Sequence, residues 1–375
     1  MRISRNKAPK VAIVHDRLNV RGGGEQVVEE LARLYPKAPI FTLIYDPAKF
    51  KGSEISKHAI RTSFIDRLPK AIDHHRYYIP LMPLAIEGFD LDRFDLVLSS
   101  SAAFAHGVRT DPHQLHISYI HSPMRYAWHQ YKQHVGELGF GSLFVRGLLA
   151  FLRRWDRAAS GRADHLLTNS AWTAQAVRAA FGREAAVIFP PVHTERFQPA
   201  AKRGDYYLTV SRLVPYKRVD LIVKAFAANG KPLVVIGEGP QERKVKALAA
   251  DNIRFLGYQP PKAFAKWMGE ARAFVYAAEE DFGITAVEAQ AAGCPVLAFG
   301  RGGLAETVID GKTGLLYKEQ TVESLIASIE RFERGELRFD PQAISRNAER
   351  FSAEKFNTSF TSFVEEKWTA FSNLG

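Results

Sequence analysis

The residues best equipped for chemistry lie in the second half of the chain. Arg212 and Lys217 stand in Ser211-Arg212-Leu213-Val214-Pro215-Tyr216-Lys217-Arg218, directly after a short apolar strand pattern, Tyr206–Val210. A guanidinium and an ammonium at a strand's carboxyl end can clamp a diphosphate and stabilise it as a leaving group. On spacing alone they equally describe a solvated basic loop. Glu280 and Glu288 follow, with seven residues between them. The first falls in the loop after strand pattern Ala273–Tyr276 and the second inside the next helix, so the two carboxylates reach different parts of one ligand. Backbone N–H groups of Phe282, Gly283 and Ile284 lie between them, although two glutamates at this spacing mean little by themselves. His121 ends the apolar run Ile117–Ile120, where an imidazole can donate to a substrate hydroxyl; burial in the core is the commoner fate of a lone histidine. Three glycine clusters, Gly22-Gly23-Gly24-Glu25, Gly237-Glu238-Gly239-Pro240 and Gly300-Arg301-Gly302-Gly303, each follow a strand pattern and precede a helical one. Such loops let the backbone approach a phosphate or sugar at a helix N-terminus, or simply make a tight turn. The first is not the G-x-G-x-x-G dinucleotide fingerprint, since the next glycine after Gly24 is Gly52.

These groups need a scaffold of strands ending on one edge. In the first half, short apolar runs at Lys10–Val14, Ile40–Ile44, Leu96–Leu98, His116–Ile120, His165–Leu167 and Val187–Phe189 alternate with helical spacing at Gln26–Leu34 and Ala171–Phe181. Ser170 is the expected cap of the latter helix. A proline-rich polar connector, Pro190–Asp205, follows, and the pattern restarts. Strands are expected at Tyr206–Val210, Pro232–Ile236, Ile253–Leu256, Ala273–Tyr276 and Pro295–Phe299, and helices at Val219–Ala227, Ala286–Ala292 and Ser324–Arg331. Alternation of this kind in both halves predicts two parallel α/β sheets. The aromatic tail Asn357–Phe371 is helix-compatible.

Composition narrows the classes. A chain of 375 residues is long for one domain and sets two as the expectation. Cys294 is the single cysteine, so neither an internal disulfide nor a thiolate zinc cluster can form, which suits a reducing cytoplasm. The basic start leads into Val11–Val14, too short for a signal-peptide core, and no run reaches the roughly 18 apolar residues of a membrane span. The net charge of +11 is uneven, +9 in residues 1–200 and +2 in the remainder. That excess suits nucleic acid, anionic lipid or a phosphorylated small molecule; without a nucleic-acid motif, nucleic acid ranks last. The run Leu143–Trp155 reads either as a helix lying on a membrane surface or as a buried helix of the first domain. Asp90-Leu91-Asp92 has the spacing of a D-x-D metal motif without any supporting feature.

With EEDFGITAVEAQAAGCPVLA at 279–298 the chain resembles the retaining glycosyltransferases of family 4. Supporting motifs stand in the family's order: GGGE, TNS, PPVHTERFQP, VSRLVPYKRVD, VIGEGP, FLGY and GGLAETVIDGKTGLL. The resemblance implies the GT-B fold, two Rossmann-like domains whose parallel sheets face an interdomain cleft. It implies an acceptor-binding domain at 1–195, a nucleotide-sugar-binding domain at 205–355, and a C-terminal helix at 356–375 packing back on the first. By the same resemblance Arg212 and Lys217 bind the donor diphosphate, and Glu288 accepts from the ribose hydroxyls. Glu280 contacts the transferred sugar, with the amides of Phe282, Gly283 and Ile284 nearby. Gly257 and Tyr258 lie by the base, Gly23 and Gly24 by the diphosphate and acceptor, and His121 near the reaction centre.

The HSPMRYAW string is similar to members that transfer mannose from GDP-mannose in bacterial surface polysaccharide synthesis. The expectation is therefore hexose transfer, with retention and without a metal, from a nucleotide diphosphate sugar to a saccharide or lipid-linked acceptor. GDP-mannose is the favoured donor and a UDP-sugar the alternative. The expected location is the cytoplasm, with peripheral membrane contact through the basic half. A sugar-nucleotide epimerase of the same build and a non-catalytic nucleotide-sugar-binding protein are the rival readings.

Overall fold

The computed structural model describes residues 8–128 and 142–374. The chain divides into two units, Met1–Pro191 together with Phe356–Gly375, and Val192–Lys355. Among the described residues the first unit holds one seven-stranded parallel sheet: β1 (Val11–His15), β2 (Ile40–Thr42), β3 (Ile60–Thr62), β4 (Leu96–Ser101), β5 (Leu115–Ile120), β6 (His165–Thr168) and β7 (Ala186–Val187). Their spatial order is β3-β2-β1-β4-β5-β6-β7. The second unit holds six: β8 (Tyr207–Val210), β9 (Leu233–Ile236), β10 (Ile253–Gly257), β11 (Ala273–Tyr276), β12 (Val296–Phe299) and β13 (Gly314–Tyr317), in the order β10-β9-β8-β11-β12-β13. Both sheets thus carry the doubly wound 3-2-1-4-5-6 order. Each reverses direction once, between β1 and β4 and between β8 and β11, and ligands of such sheets sit at the carboxyl edge of that reversal.

Why the strands read as unbroken apolar runs is plain from the packing. Side chains alternate across a strand, and helices cover both faces of a parallel sheet. Ala12 and Val14 face a core shared with Val97 and with Val145, Leu149 and Leu152 of the helix Ser142–Ser160. Ile13, Leu96 and Leu98 face the opposite core, with Val27, Val28 and Leu31 of the helix Gly23–Leu34. The apolar stripe of Ser142–Ser160 is therefore spent inside the unit, which is the buried-helix alternative; the side chains of residues 142–144 lie outside the described ones. Ser170 caps Ala171–Phe181 by accepting from the Thr173 N–H.

Two features go beyond the sequence pattern. The connector at 190–205 does not run free: Val192 and Phe197 are buried, Val192 pairs with Ser352, and Thr194–Arg196 form a turn of 3-10 helix within the second unit. Two apolar residues five positions apart in a proline-rich stretch were masked by its polar composition. Secondly, β3 and β13 are strands that the apolar pattern did not mark, because each is short, Arg61 interrupts β3 and Gly314 opens β13.

The helix Ala353–Leu374 belongs from Phe356 onward to the first unit. Phe356, Phe360 and Val364 join the core of Ile117 and Tyr119, and Asn357 donates to Glu30 at 3.0 Å. Phe360 is 1% exposed, so Phe360→Ala is expected to cost about 3–5 kcal/mol through lost burial and the cavity left behind. Urea unfolding followed by tryptophan fluorescence measures the loss, and a change below about 1 kcal/mol would contradict this packing.

Candidate functional site

At the reversal of the second sheet, the loop after β8 delivers Lys217 and the loop after β11 delivers Glu280. Lys217 Nζ donates to Glu280 Oε1 at 2.5 Å and to the Tyr276 hydroxyl at 2.9 Å, and that hydroxyl donates to Glu280 Oε1 at 3.1 Å. The ammonium also lies 5.3 Å from the Tyr216 ring centre and 5.6 Å from that of Tyr276. Burial works against the lysine's charge, but Glu280 and the two phenols outweigh it and raise its pKa. The lysine therefore stays charged in a half-dry setting, with two of its three N–H donors committed and a third left for a ligand.

A strained turn aims this lysine. Pro215–Lys217 form one turn of 3-10 helix, ended by Arg218 with φ +53°, a left-handed conformation unfavourable for a side chain with a Cβ. Such strain persists only where its surroundings over-determine it. Here Arg218 bonds to Asp220 and to Gln320, and Gln320 in turn donates to the Ala277 carbonyl at 2.7 Å. The lysine loop is thereby tied to the end of β11. Arg212, two positions beyond β8, is exposed and its side chain engages no partner in the described residues.

Glu288 sits in the second turn of the helix Ile284–Ala291, whose N-terminus at Gly283 no side chain caps. It is half-buried, and its carboxylate makes no hydrogen bond among the described residues. Burial, opposed by Arg196, lifts its pKa to about 7. Phe282 is buried against Phe351, while Gly257 ends β10 and Tyr258 beyond it is 71% exposed. The Tyr258 N–H donates to Glu238.

The glycine clusters divide by use. A Cβ at Gly237, where φ is +128°, would overlap the Ser211 carbonyl; one at Gly302, where φ is +79°, would overlap the Glu280 carbonyl. The second and third clusters thus let their loops pack against the loops bearing Arg212 and Glu280, and steric closeness of backbones explains their glycines without any ligand. Gly24 differs. A Cβ there would lie 3.4 Å from His121 Nε2, an ordinary contact, and no side chain caps the helix that Gly23 and Gly24 open. This N-terminus keeps room and N–H groups for an anion or a hydroxyl.

Beside it, at the reversal of the first sheet, stands a buried polar cluster that the spacing of residues gave no reason to single out. His15 Nδ1 donates to the Ser100 carbonyl at 2.9 Å, its Nε2 lies 3.5 Å from Glu25, and the Ser100 hydroxyl is 2.8 Å from His121 Nε2. Burial favours neutral His15, but Glu25, Asp16 and the Ser100 carbonyl overcome it and raise its pKa; burial, with the neighbouring His15, pulls His121 down to about 4. His121 is thus neutral at pH 7 and suited to exchanging hydrogen bonds without carrying charge. Asp16 accepts four backbone N–H groups, from Ala102, Ala103, Phe104 and Ala105, at 2.6 to 2.9 Å, and so clamps the loop after β4 to the end of β1. The only sequence signal for this cluster was the pair His15-Asp16 closing the first apolar run. The D-x-D pair makes a local turn, with the Asp92 N–H donating to Asp90.

The structure therefore joins Lys217 with Glu280, and Gly24 with His121, each group within its own unit. Residues 192–351 match a family described as glycosyl transferases group 1, and residues 21–196 match glycosyltransferase family 4. Among curated proteins, the GDP-mannose-dependent alpha-(1-6)-phosphatidylinositol monomannoside mannosyltransferase of Mycolicibacterium smegmatis is 29% identical over 50% of this chain and 56% of its own length. Glycogen synthase of Pseudomonas savastanoi is 31% identical over 47% of this chain and 36% of its own. The aligned part thus spans about half, or less, of these relatives. Among solved structures, sucrose-phosphate synthase of Thermosynechococcus elongatus has a TM-score of 0.70 at 18% identity, covering 96% of this chain and 99% of that one. Anabaena HepE in complex with UDP-glucose has 0.69 at 17%, covering 96% and 100%. At these identities the two structures speak for the fold.

The glycine assignment can be checked by stability. Gly237→Ala is expected to destabilise the second unit by about 2–4 kcal/mol, from strain and overlap together. Gly24→Ala, which has room, should stay within about 1 kcal/mol of the parent. Thermal unfolding of the two variants separates them, and equal losses would contradict the distinction.

Proposed function

Since the chain belongs to the family 4 glycosyltransferases of the GT-B fold, we propose that it moves a hexose, mannose in the favoured case, from a nucleotide diphosphate sugar to a saccharide or lipid-linked acceptor, with retention of anomeric configuration. The observation that carries this reading is Lys217, held charged against Glu280 and Tyr276 at the carboxyl edge of the second sheet. As the sugar–phosphate bond breaks, positive charge grows on the sugar and negative charge on the departing diphosphate. The third N–H of Lys217 and the guanidinium of Arg212 meet the negative charge, a task that metal ions perform in other transferases. The reaction is accordingly proposed to need no metal.

Glu280 has two parts to play: it fixes the lysine, and its carboxylate is placed to receive a hydroxyl of the transferred sugar. Glu288, unpaired and half-dry, receives the ribose hydroxyls, while the backbone at Phe282, Gly283 and Ile284 faces the donor. Gly257 and Tyr258 flank the base. From the first unit, neutral His121 bonds to the sugar and the uncapped turn at Gly23 and Gly24 approaches the diphosphate or the acceptor. GDP-mannose is favoured as donor because of the HSPMRYAW string and because GDP-mannose-dependent enzymes stand among the relatives; the UDP-glucose complex keeps a UDP-sugar as the alternative.

Two outcomes test the reading. Lys217→Ala, assayed with labelled donor and excess chelator, is expected to lose on the order of 10²-fold or more in turnover with its fold intact. Near-parental turnover, or loss of the parent's activity to the chelator, would contradict it. The second concerns pH. Accepting ribose hydroxyls favours the ionised Glu288, whose pKa is raised, so sugar-nucleotide affinity should fall as pH drops through about 7. Calorimetry is expected to show binding roughly tenfold weaker at pH 6 than at pH 8. Glu288→Gln should bind weakly and independently of pH; a parent that is flat across this range would refute the role given to Glu288.

A further inference from the structure

Ten large apolar side chains are conspicuously exposed among the described residues, and five of them, Phe64, Ile72, Tyr77, Leu81 and Leu84, fall within 21 consecutive positions. Tyr77 and Leu84 are 66% and 65% exposed. This clustering is not a by-product of an unpacked segment. Ile65, Ala71, Ile79, Met82, Ala85 and Ile86 of the same stretch are buried in the first unit's core. The segment is therefore anchored by one set of apolar residues and presents a second set outward. It is made of short turns, Phe64–Arg67, Ala71–His74, His75–Leu81 and Met82–Glu87, held in place by Pro69, Pro80 and Pro83. Asn19, in the loop after β1, donates to the Ile72 carbonyl at 2.9 Å, and its neighbour Val20 is 48% exposed. The patch thus adjoins the loop that runs on into Gly22–Gly24.

Its charge is one-sided. The exposed ionised side chains of the stretch 63–84 are Arg67, Lys70 and Arg76, against Asp73 alone, since Asp66 is half-buried and accepts the Tyr45 N–H. Aromatic and aliphatic side chains interspersed with cations match the two layers of an anionic bilayer surface, acyl chains below and phosphates above. We propose that residues 64–84, with Val20, dock the first unit on an anionic membrane surface, in place of the helix Ser142–Ser160, whose apolar stripe is buried. A lipid-linked acceptor would then be presented beside the glycine turn. In that respect the proposal rests on the functional reading above, but vesicle binding itself needs neither donor nor acceptor.

Flotation with phosphatidylcholine vesicles, with or without phosphatidylglycerol, provides the test. The full chain is expected to float with the anionic vesicles only, and to be released by high salt. The triple variant Arg67→Gln, Lys70→Gln, Arg76→Gln should lose on the order of 100-fold in partitioning, and Tyr77→Ser with Leu84→Ser at least tenfold. All five positions are exposed, and an unchanged thermal shift with sugar nucleotide certifies the fold of each variant. Arg146→Gln with Phe151→Ser and Arg154→Gln, on the outer face of Ser142–Ser160, should float as the parent does. Failure of the parent to float, parental flotation of the patch variants, or loss of flotation in the helix variant would each overturn the proposal. A parent that binds sugar nucleotide but not vesicles would leave the transferase reading standing without the membrane surface.

Discussion

At the point where a doubly wound sheet reverses, the connections leave in opposite directions, and a gap opens above the strand ends that no crossover covers. Among the described residues, two hydrogen-bonded polar clusters stand at such gaps. Above β1 and β4 stand His15, Ser100 and the loop clamped by Asp16; above β8 and β11 stand Lys217, Tyr276 and Glu280. A buried charge at such a place is tolerable only when paired and hydrogen-bonded. Both clusters obey that rule, through Glu280 on Lys217 and Glu25 by His15. The pairing keeps Lys217 charged and raises the basicity of His15 before any ligand arrives, which is the preorganisation that electrostatic catalysis relies on.

The two units solve the same problem with different residues. In the second, a cation is held ready and a carboxylate, Glu288, is left unpaired with its pKa at about 7. In the first, an imidazole is held neutral next to a more basic one. The contrast between His121 and His15 follows from position: both stand at the carboxyl edge of the first sheet, His15 buried and His121 half-buried, but Glu25 hydrogen-bonds His15 whereas His15 lies beside His121 and lowers its pKa.

The strands were legible in the sequence because both faces of a parallel sheet are covered, and near-continuous Val, Ile and Leu follow from that. β11, at Ala273–Tyr276, stands where the pattern put it. β3 and β13 escaped because a strand at or near a sheet edge tolerates an arginine or a glycine. The carboxylate pair stood out through the resemblance of its segment to family 4, since the spacing of Glu280 and Glu288 meant little by itself. His15, Glu25 and Ser100 did not stand out, since residues 10 and 85 positions apart meet only through the strand order. The glycine clusters were legible as loops but misleading in purpose: at Gly237 and Gly302 the neighbour that excludes a side chain is the protein's own backbone.

The helix that closes the first unit carries a consequence for how the chain is made. Phe356, Phe360 and Val364 complete a core whose other members, from Ile13 to Ile188, are translated before the second unit begins. Val192–Lys355 must emerge in between, and at roughly 5–20 residues per second this takes on the order of ten to thirty seconds. Throughout that interval the nascent first unit lacks Phe356, the aromatic neighbour of Tyr119, together with Phe360 and Val364 of the same core. On the ribosome, the unit that starts first is the one that finishes last.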